Sequence, residues 1–569
     1  MRAYNKTGSL SVHAIAGAYV VLLGIDMEEA ASDGVLGFGI ERIEHGHGNS
    51  RAWLQALKVF PDLPVEEGMV STEHHPIQGF FWGDFTTRYG HEYTYRIVAM
   101  RGKPGALRAS ETVEIRIATE KEDEGQHAVY FNRGVAGSQA YVRKFGDRRP
   151  ADVPNRAAFQ WLSRGLFRAM LDFIHQANGP DWGLRVAAYE LQQGAVLNAF
   201  REAAASEADV KIIFDARVKA NGPADANWAA IREAKIEDLV IPRTRSRSAI
   251  SHNKFIVLLH DGEPVEVWTG STNFTDGGIF GHSNCGHIVR NKDVAATYFR
   301  YWEELQKDPE MRDIRPWNDE IFPIPDGPPA IGTGAAFSPR SNLDLLRWYA
   351  RLMDKANTAV FFTAAFGVND LFEEVLEQPK PYLRYVLLES ADNDIASLLN
   401  EVAVANILPQ NEFERWMEEH LSGLNTHVKY IHTKYMIIDP LGNDPLLITG
   451  SANFSDASTR KNDENMLVIR GDKRVADLYL SEFMRLFNHF QFRGLAHARA
   501  ATGPESARSF LVPNDSWKAR YYQPDTPKYL ERLYFAGHPQ PAEGTPMSVQ
   551  PASRAAANKP VDWHPEYRE

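Results

Sequence analysis

The chain has 569 residues, of which 44% are hydrophobic and 24% are charged. This length predicts two or three folding units with a large core, and the 12 Trp, 21 Tyr and 30 Phe exclude a disordered chain. The net charge of −12 excludes binding of a polyanion through overall positive charge, so any such binding must use a local patch. The single cysteine, Cys285, excludes an intrachain disulfide and a cysteine-rich zinc site.

The N-terminal stretch contains an apolar run, Ala14–Ile25, that follows Arg2 and Lys6. This order is compatible with an export signal. We favour a first β-strand, because the run contains Val and Tyr and leads into further strand-like segments separated by turn residues. No window has the roughly 18 apolar residues of a membrane span. We therefore expect a soluble, cytoplasmic protein without an integral membrane segment, and the export alternative stays open.

The first 120 residues contain short strand-like runs punctuated by Gly, Pro and Asp, which is typical of a β-sandwich. This part looks like a fibronectin type III-like module. We expect it to pack against the rest of the chain, and a role in positioning a substrate or binding a partner is the alternative. Its paired histidines lack a spaced carboxylate set, so no metal site is predicted. The runs are Leu10–Ile25, Gly34–Ile43, Phe80–Phe85, Glu92–Met100 and Thr112–Ala118.

After a charged stretch, Lys121–Glu124, helices and strands alternate, and the same order occurs twice. We expect an α/β protein with a β-sandwich at residues 1–120, duplicated halves at 121–330 and 331–500, and an extension at 501–569. In that extension Trp517–Phe535 should pack on the core, and the part after Gly537 should be flexible. The first copy has Phe159–Ala177, Val186–Glu190, Ala195–Ala205 and Val210–Ala216; the second has Leu343–Lys355, Val360–Phe366, Leu371–Gln378 and Leu383–Glu389.

Each copy then reaches a His-x-Lys triplet at the head of an apolar strand, followed by Gly-Ser-x-Asn-Phe. The spacing from His252 to Gly270 is 18 residues, and the spacing from His432 to Gly450 is the same. Because side chains alternate along a strand, the histidine and lysine of each triplet lie on one face and can converge on one phosphate. A single triplet would carry no signal, whereas two at equal spacing predict a shared site.

These motifs resemble those of the phospholipase D superfamily, whose signature is His-x-Lys-x4-Asp followed by Gly-Ser-x-Asn and an acidic or amide residue. The resemblance covers roughly Phe159–Phe490 and implies two duplicated α-β-α halves that form one catalytic core. The second copy matches completely. The first copy has Leu259 in place of the aspartate, a residue that supports structure in the family. The matching positions are His432, Lys434, Asp439, Gly450, Ser451, Asn453 and Glu464 in the second copy, and His252, Lys254, Gly270, Ser271, Asn273 and Asn284 in the first.

The resemblance implies hydrolysis of a phosphodiester in two steps through a phosphohistidine, without a metal or another cofactor. One histidine attacks phosphorus, and the other protonates the leaving oxygen and then activates water. If the supporting acid comes from the opposite half, Glu464 pairs with His252 and His252 is the nucleophile; pairing within one half would reverse the roles. We favour the first arrangement. The predicted catalytic residues are His252, His432, Lys254, Lys434, Asn273, Asn453, Glu464 and Asn284, and Ser271 and Ser451 are predicted to bind substrate.

A basic run, Arg243-Thr-Arg245-Ser-Arg247, precedes the first triplet and is predicted to receive phosphates beside the scissile bond. A solvated loop is the alternative. The stretch from Gly450 to Glu464 looks most like the bacterial nuclease branch of the superfamily, so we favour a nucleic acid substrate. A phospholipase acting on phospholipid headgroups is the second hypothesis, and a catalytically silent binding protein is the third.

Overall fold

The computed structural model describes residues 1–46, 49–61, 63, 69–134, 139–146, 148–219, 222–244, 250–389, 402–404, 430–500, 510–524 and 526–538. Within these residues the strands form five sheets, of which three are antiparallel and two, with eight and seven strands, are mixed. No helix in this part of the chain combines the length and the apolar character that crossing a bilayer requires.

The N-terminal region is built of antiparallel strands, which confirms the predicted all-β region. Two four-stranded sheets, in the orders β1-β2-β3-β8 and β10-β9-β4-β5, share one core, and β6 pairs with β7. The run predicted as one strand forms a hairpin instead, because the Gly17 N–H donates to Val20 O and closes a turn. The strands are β1 (Arg2–Thr7), β2 (Leu10–Ala16), β3 (Val21–Met27), β4 (Val35–Glu44), β5 (Ser50–Trp53), β6 (Gln55–Ala56), β7 (Val70–Ser71), β8 (Phe81–Asp84), β9 (Glu92–Lys103) and β10 (Ala106–Ala118).

The β2-β3 hairpin joins this region to the rest of the molecule. Val12 and Leu23 point into the core between the two sheets, whereas Ile15 and Leu22 belong to the largest core of the chain, which also contains residues of both α/β halves. Alternation along the strand therefore buries both faces of the hairpin.

The first α/β half forms an eight-stranded sheet in the order β11-β12-β18-β17-β16-β13-β14-β15. The helix predicted at Phe159–Ala177 is broken in two, because Arg164 and Gly165 both have positive φ. The elements are β11 (Asp123–Glu124), β12 (His127–Phe131), α1 (Gln139–Phe145), α2 (Ala157–Ser163), α3 (Leu166–His175), β13 (Trp182–Ala188), α4 (Gly194–Ala205), β14 (Asp209–Asp215), α5 (Ala224–Ala234), β15 (Val240–Arg243), β16 (Lys254–His260), β17 (Glu263–Gly270), β18 (Cys285–Val289), α6 (Lys292–Leu305) and α7 (Met311–Ile321).

The second half repeats this topology in a sheet of order β19-β25-β24-β23-β20-β21-β22, which confirms the duplicated α/β architecture. Two short helices follow. The elements are β19 (Gly332–Ser338), α8 (Asp344–Asp354), β20 (Ala359–Ala364), α9 (Asp370–Glu377), β21 (Leu383–Leu388), β22 (Val402–Val404), β23 (Tyr435–Ile438), β24 (Leu446–Gly450), α10 (Asp456–Arg460), β25 (Glu464–Arg470), α11 (Lys473–Ala500), α12 (Ala519–Tyr522) and α13 (Pro527–Phe535).

The two sheets share the largest core. Phe255 of β16 and Tyr435 of β23 lie in it together with aromatic residues of α6 and α11, such as Tyr298 and Phe483. The C-terminal aromatic segment packs as predicted, since Trp517 is buried in the N-terminal core and Phe535 in the largest one. The part predicted to be flexible lies, beyond His538, outside the described residues.

Candidate active site

The two halves meet through a pair of short parallel bridges, Ser251 with Asp463 and Ser283 with Ile431. The His252 N–H donates to Asp463 O at 2.9 Å, and the His432 N–H donates to Ser283 O at 3.2 Å. Each His-x-Lys triplet therefore lies directly beside a backbone segment of the opposite half. The residues that follow the bridges, Glu464 and Asn284, come to lie next to the histidines for this reason.

Each predicted histidine has its supporting residue in the opposite half. His252 Nδ1–H donates to Glu464 Oε2 at 2.9 Å, and His432 Nδ1–H donates to Asn284 Oδ1 at 2.9 Å. The pairing across the halves is the one favoured from the sequence. Both acceptors fix the proton on Nδ1, so the other ring nitrogen, Nε2, carries the lone pair when the imidazole is neutral.

The serine of each Gly-Ser pair donates a hydrogen bond to a residue that supports a histidine. Ser451 Oγ donates to Glu464 Oε2 at 2.7 Å, and Ser271 Oγ donates to Asn284 Oδ1 at 2.8 Å. Both serines are fully buried, and their hydroxyls orient the supporting residues. That they also bind substrate stays a prediction.

The glycine of each pair is required by close packing. A Cβ at Gly270 would lie 2.3 Å from Cys285 O, and one at Gly450 would lie 2.2 Å from Asn465 O. These contacts are far shorter than van der Waals distance, so only glycine lets the two strands approach closely enough for the serine hydroxyl to reach its partner.

The two lysines lie in the same buried site as the histidines. Lys254 Nζ donates to His252 O and Lys434 Nζ donates to His432 O, each at 2.6 Å. Burial lowers the pKa of Lys254 to about 8, and burial together with the charge on Lys254 holds the pKa of Lys434 well below its ordinary value. Burial, and to a lesser extent the charges of both lysines, lower the pKa of both histidines, as expected for two triplets that share one site.

Glu464 is the negative charge that offsets the lysines. Burial acts to raise its pKa, but His252 and Lys254 outweigh this effect and hold the pKa below its usual value. Burial, partly opposed by Glu464, lowers the pKa of His252. The site thus combines a buried carboxylate, two imidazoles and two lysine amino groups in one desolvated cluster.

The two predicted asparagines differ in their contacts. Asn273 Nδ2 donates to Glu190 Oε2 at 2.5 Å, so its amide is already oriented by a carboxylate. Asn453 is half-buried, and its Oδ1 has no hydrogen-bond partner among the described residues.

The basic run before the first triplet does not act as predicted at Arg243. This side chain is 5% exposed, and its guanidinium donates to Asp463 at 2.5 and 3.1 Å and to Asp308 at 3.0 Å. It ties the two halves together, and four of its five N–H groups donate to acceptors within the protein. Arg245 and Arg247 lie outside the described residues.

The signature aspartate has a structural position, as the family resemblance implied. Asp439 accepts hydrogen bonds from the backbone N–H groups of Asn357, Thr358 and Ala359. In the first copy Leu259 is buried in the largest core, so an apolar contact replaces these hydrogen bonds.

Several residues at the site were missed from the sequence. Tyr189 lies 5.0 Å from the His252 ring, and Phe366, which is 61% exposed, lies 6.4 Å from the His432 ring. Most notably, the ring of His282 lies 4.7 Å from that of His432. Alignment of the two copies would have drawn attention to His282, since it precedes Asn284 by two residues as Asn462 precedes Glu464.

The family described as "Cardiolipin synthase, PLD-like domain" has a model that matches residues 170–306 and 385–487, and these segments contain both triplets. The part of the chain that these two segments cover belongs to the phospholipase D superfamily. The family match indicates an enzyme that acts on phosphodiesters. The fibronectin type III-like character of the N-terminal region stays a prediction.

Similar solved structures include three bacterial proteins. Phosphatidylserine synthase from Haemophilus influenzae Rd KW20 is 13% identical over 58% of this chain and 85% of that one, with a TM-score of 0.39. The phospholipase D family member Nuc from Salmonella typhimurium is 18% identical over 27% of this chain and 93% of that one, with a TM-score of 0.19. Polyphosphate kinase from Porphyromonas gingivalis is 10% identical over 55%, with a TM-score of 0.35, and the match spans 46% of that kinase. No curated protein matched the chain by sequence.

Proposed function

We propose that the chain hydrolyses phosphodiesters through a covalent phosphohistidine on His252, with His432 as the general acid and base. The observation that carries this assignment is the difference between the two supports, a carboxylate on His252 and an amide on His432. A ring that becomes bonded to phosphorus through Nε2 while keeping its Nδ1 proton gains positive charge. A buried carboxylate stabilises that charge far better than an amide does.

In the first step the Nε2 lone pair of His252 attacks phosphorus. The bond between phosphorus and Nε2 forms, the bond between phosphorus and the leaving oxygen breaks, and the protonated Nε2 of His432 gives its proton to that oxygen. Burial and the charge on Lys434 lower the pKa of His432, whereas the negative charge of a phosphodiester raises it. Substrate binding therefore favours the protonated form that this step requires.

In the second step His432 Nε2, now neutral, takes a proton from water. The water oxygen attacks phosphorus, the bond to His252 Nε2 breaks, and a phosphomonoester is released. His432 is left protonated for the next cycle. The amide oxygen of Asn284 accepts from Nδ1–H throughout, so only Nε2 exchanges a proton.

Charge on the non-bridging oxygens is held by the lysines. Among the described residues, the side chains of Lys254 and Lys434 each donate one hydrogen bond to a backbone carbonyl, which leaves two further N–H groups on each protonated amine. Their burial strengthens the attraction to a phosphoryl group, since the effective dielectric constant is lower than in water. Asn273 and Asn453 are the proposed neutral donors.

For the substrate we retain nucleic acid as the first hypothesis, supported by the likeness of the segment from Gly450 to Glu464 to the nuclease branch. The buried position of Arg243 removes one of the three arginines that favoured it. Phospholipid is the second hypothesis, and the exposed ring of Phe366 beside Lys434 supports it as an apolar surface at the site. Binding of a protein partner through the N-terminal region stays a prediction.

The test is a turnover assay on single-stranded DNA, duplex DNA, RNA and phosphatidylcholine vesicles. We expect one class to be cleaved, with activity lost in His252→Ala and His432→Ala and retained in His260→Ala. His260 is an exposed histidine at the far end of β16 and serves as the matched control. Cleavage that persists in either active-site variant would overturn the shared site, and no cleavage of any substrate would favour the silent binding protein.

A further inference from the structure

His282 lies in the site beside His432 but has no part in the mechanism proposed above. Its side chain is buried, and its ring is tilted by 45° against that of His432. Burial and the charges of Lys434 and Lys254 lower its pKa to about 3, so the imidazole is neutral at ordinary pH.

The amide of Asn284 fixes the tautomer of His282. Asn284 Oδ1 accepts from Ser271 Oγ and from His432 Nδ1, while Asn284 Nδ2 donates to Gly278 O at 2.7 Å and to His282 Nδ1 at 2.9 Å. A carbonyl oxygen can only accept, so the contact with Gly278 fixes which end of the amide is nitrogen. His282 Nδ1 must therefore be the acceptor, and the ring proton is on Nε2.

Two adjacent imidazoles thus have opposite tautomers. His432 has its proton on Nδ1 and a lone pair on Nε2, whereas His282 has its lone pair on Nδ1 and an N–H donor at Nε2. Among the described residues, no group accepts a hydrogen bond from His282 Nε2. Its ring lies 4.7 Å from the ring of His432, and the triplet of His432 carries Lys434, one of the two lysines that are proposed to hold the phosphoryl group.

The second half has no counterpart. At the equivalent position Asn462 Nδ2 donates to Glu464 Oε1 at 3.3 Å, so the amide of Asn462 orients the carboxylate of Glu464. The additional donor is therefore present only on the side of His432, the side of the proposed leaving group.

We propose that His282 contacts the substrate, donating a hydrogen bond from Nε2–H to an oxygen of the phosphodiester on its leaving-group side. The inference rests on the proposed function. His282 then acts as a fixed neutral donor to the charge that develops on this oxygen, and it exchanges no proton. The alternative is a positioning role, in which His282 only holds Asn284 and acts through His432.

Two substitutions separate these roles. His282→Gln places an amide N–H near the position of Nε2, whereas His282→Asn places an amide oxygen near the position of Nδ1 and provides nothing at Nε2. With bis(4-nitrophenyl) phosphate, we expect His282→Asn to lose about 100-fold in kcat/KM and His282→Gln to lose about tenfold or less. The limbs of the pH profile should not move in either variant. His260→Asn is the control.

The reverse order, with His282→Asn more active than His282→Gln, would make His282 a support for Asn284 and overturn the inference, as would wild-type activity in both variants. Binding of inorganic phosphate, measured by calorimetry, distinguishes failure of the inference from failure of the proposed function. Phosphate binding that is about tenfold weaker in His282→Asn but unchanged in His282→Gln supports the contact even if the diester is not cleaved. Equal affinity in all variants, or no binding by the wild type, overturns it.

Discussion

Glu464 provides the sharpest test of the proposed division of labour between the two histidines. Replacing it with glutamine keeps an amide oxygen that can accept from His252 Nδ1–H, as Asn284 does for His432. The tautomer of His252 is therefore retained and only the negative charge is lost. Any loss of rate in the variant therefore measures how strongly the negative charge of Glu464 stabilises the positive charge on the phosphorylated ring of His252.

The size of the effect follows from Coulomb's law. The carboxylate oxygen lies 2.9 Å from Nδ1, which places the two charge centres about 4 Å apart. At an effective dielectric constant of about 20 the attraction is about 4 kcal/mol. Since each 1.4 kcal/mol changes a rate by about tenfold, Glu464→Gln should slow formation of the phosphoenzyme by about 1,000-fold.

The assay is a single-turnover reaction with enzyme in excess, quenched in alkali and digested for mass spectrometry, so that rate and site of phosphorylation are read together. We expect phosphate on His252 in the wild type. Asn284→Asp is the reverse substitution on the other half, and it should slow the first step by only about tenfold, because its added charge makes imidazolium at His432 a weaker acid.

Two results would refute the reasoning. A loss smaller than tenfold in Glu464→Gln would show that the carboxylate does not stabilise charge on a phosphorylated ring. Phosphate trapped on His432 in the wild type would reverse the two roles.

Three further predictions concern pH and metal. Because burial lowers the pKa of Lys254 to about 8, kcat/KM should fall as the pH rises above 8, and a pH–rate profile that is flat to pH 10 would contradict a cationic role for this lysine. Activity should persist in a strong chelator; its loss, with rescue by one specific metal, would refute the proposed metal-free mechanism. Burial raises the pKa of Glu122 from 4.5 to about 7, so the folded protein binds a proton that the unfolded chain releases. The free energy of unfolding should then fall by about 3 kcal/mol as the pH rises from 4.5 to 8. Denaturant titrations should show that Glu122→Gln abolishes this pH dependence. An unchanged pH dependence in the variant would contradict the raised pKa of Glu122.

The sequence was most informative where structure is determined locally. Alternation of apolar residues, turn residues and the equal spacing of the two motifs predicted the duplicated halves, and most predicted elements lie within a few residues of the observed ones. The errors have local causes as well. The turn at Gly17 splits one predicted strand, and the left-handed backbone at Arg164 and Gly165 splits one predicted helix.

The residue types of the site were also determined by the sequence alone, since two histidines, two lysines and a carboxylate are what the chemistry requires. Their contacts were not. His252 and Glu464 are 212 residues apart, and Arg243 and Asp463 are 220 apart, so only the packing of one half against the other decides that the first pair supports a histidine and that the second is a buried ion pair. The same packing places His282 beside His432. Alignment of the two copies singles out the position of His282 in the sequence, but only the packing shows that its ring lies next to His432.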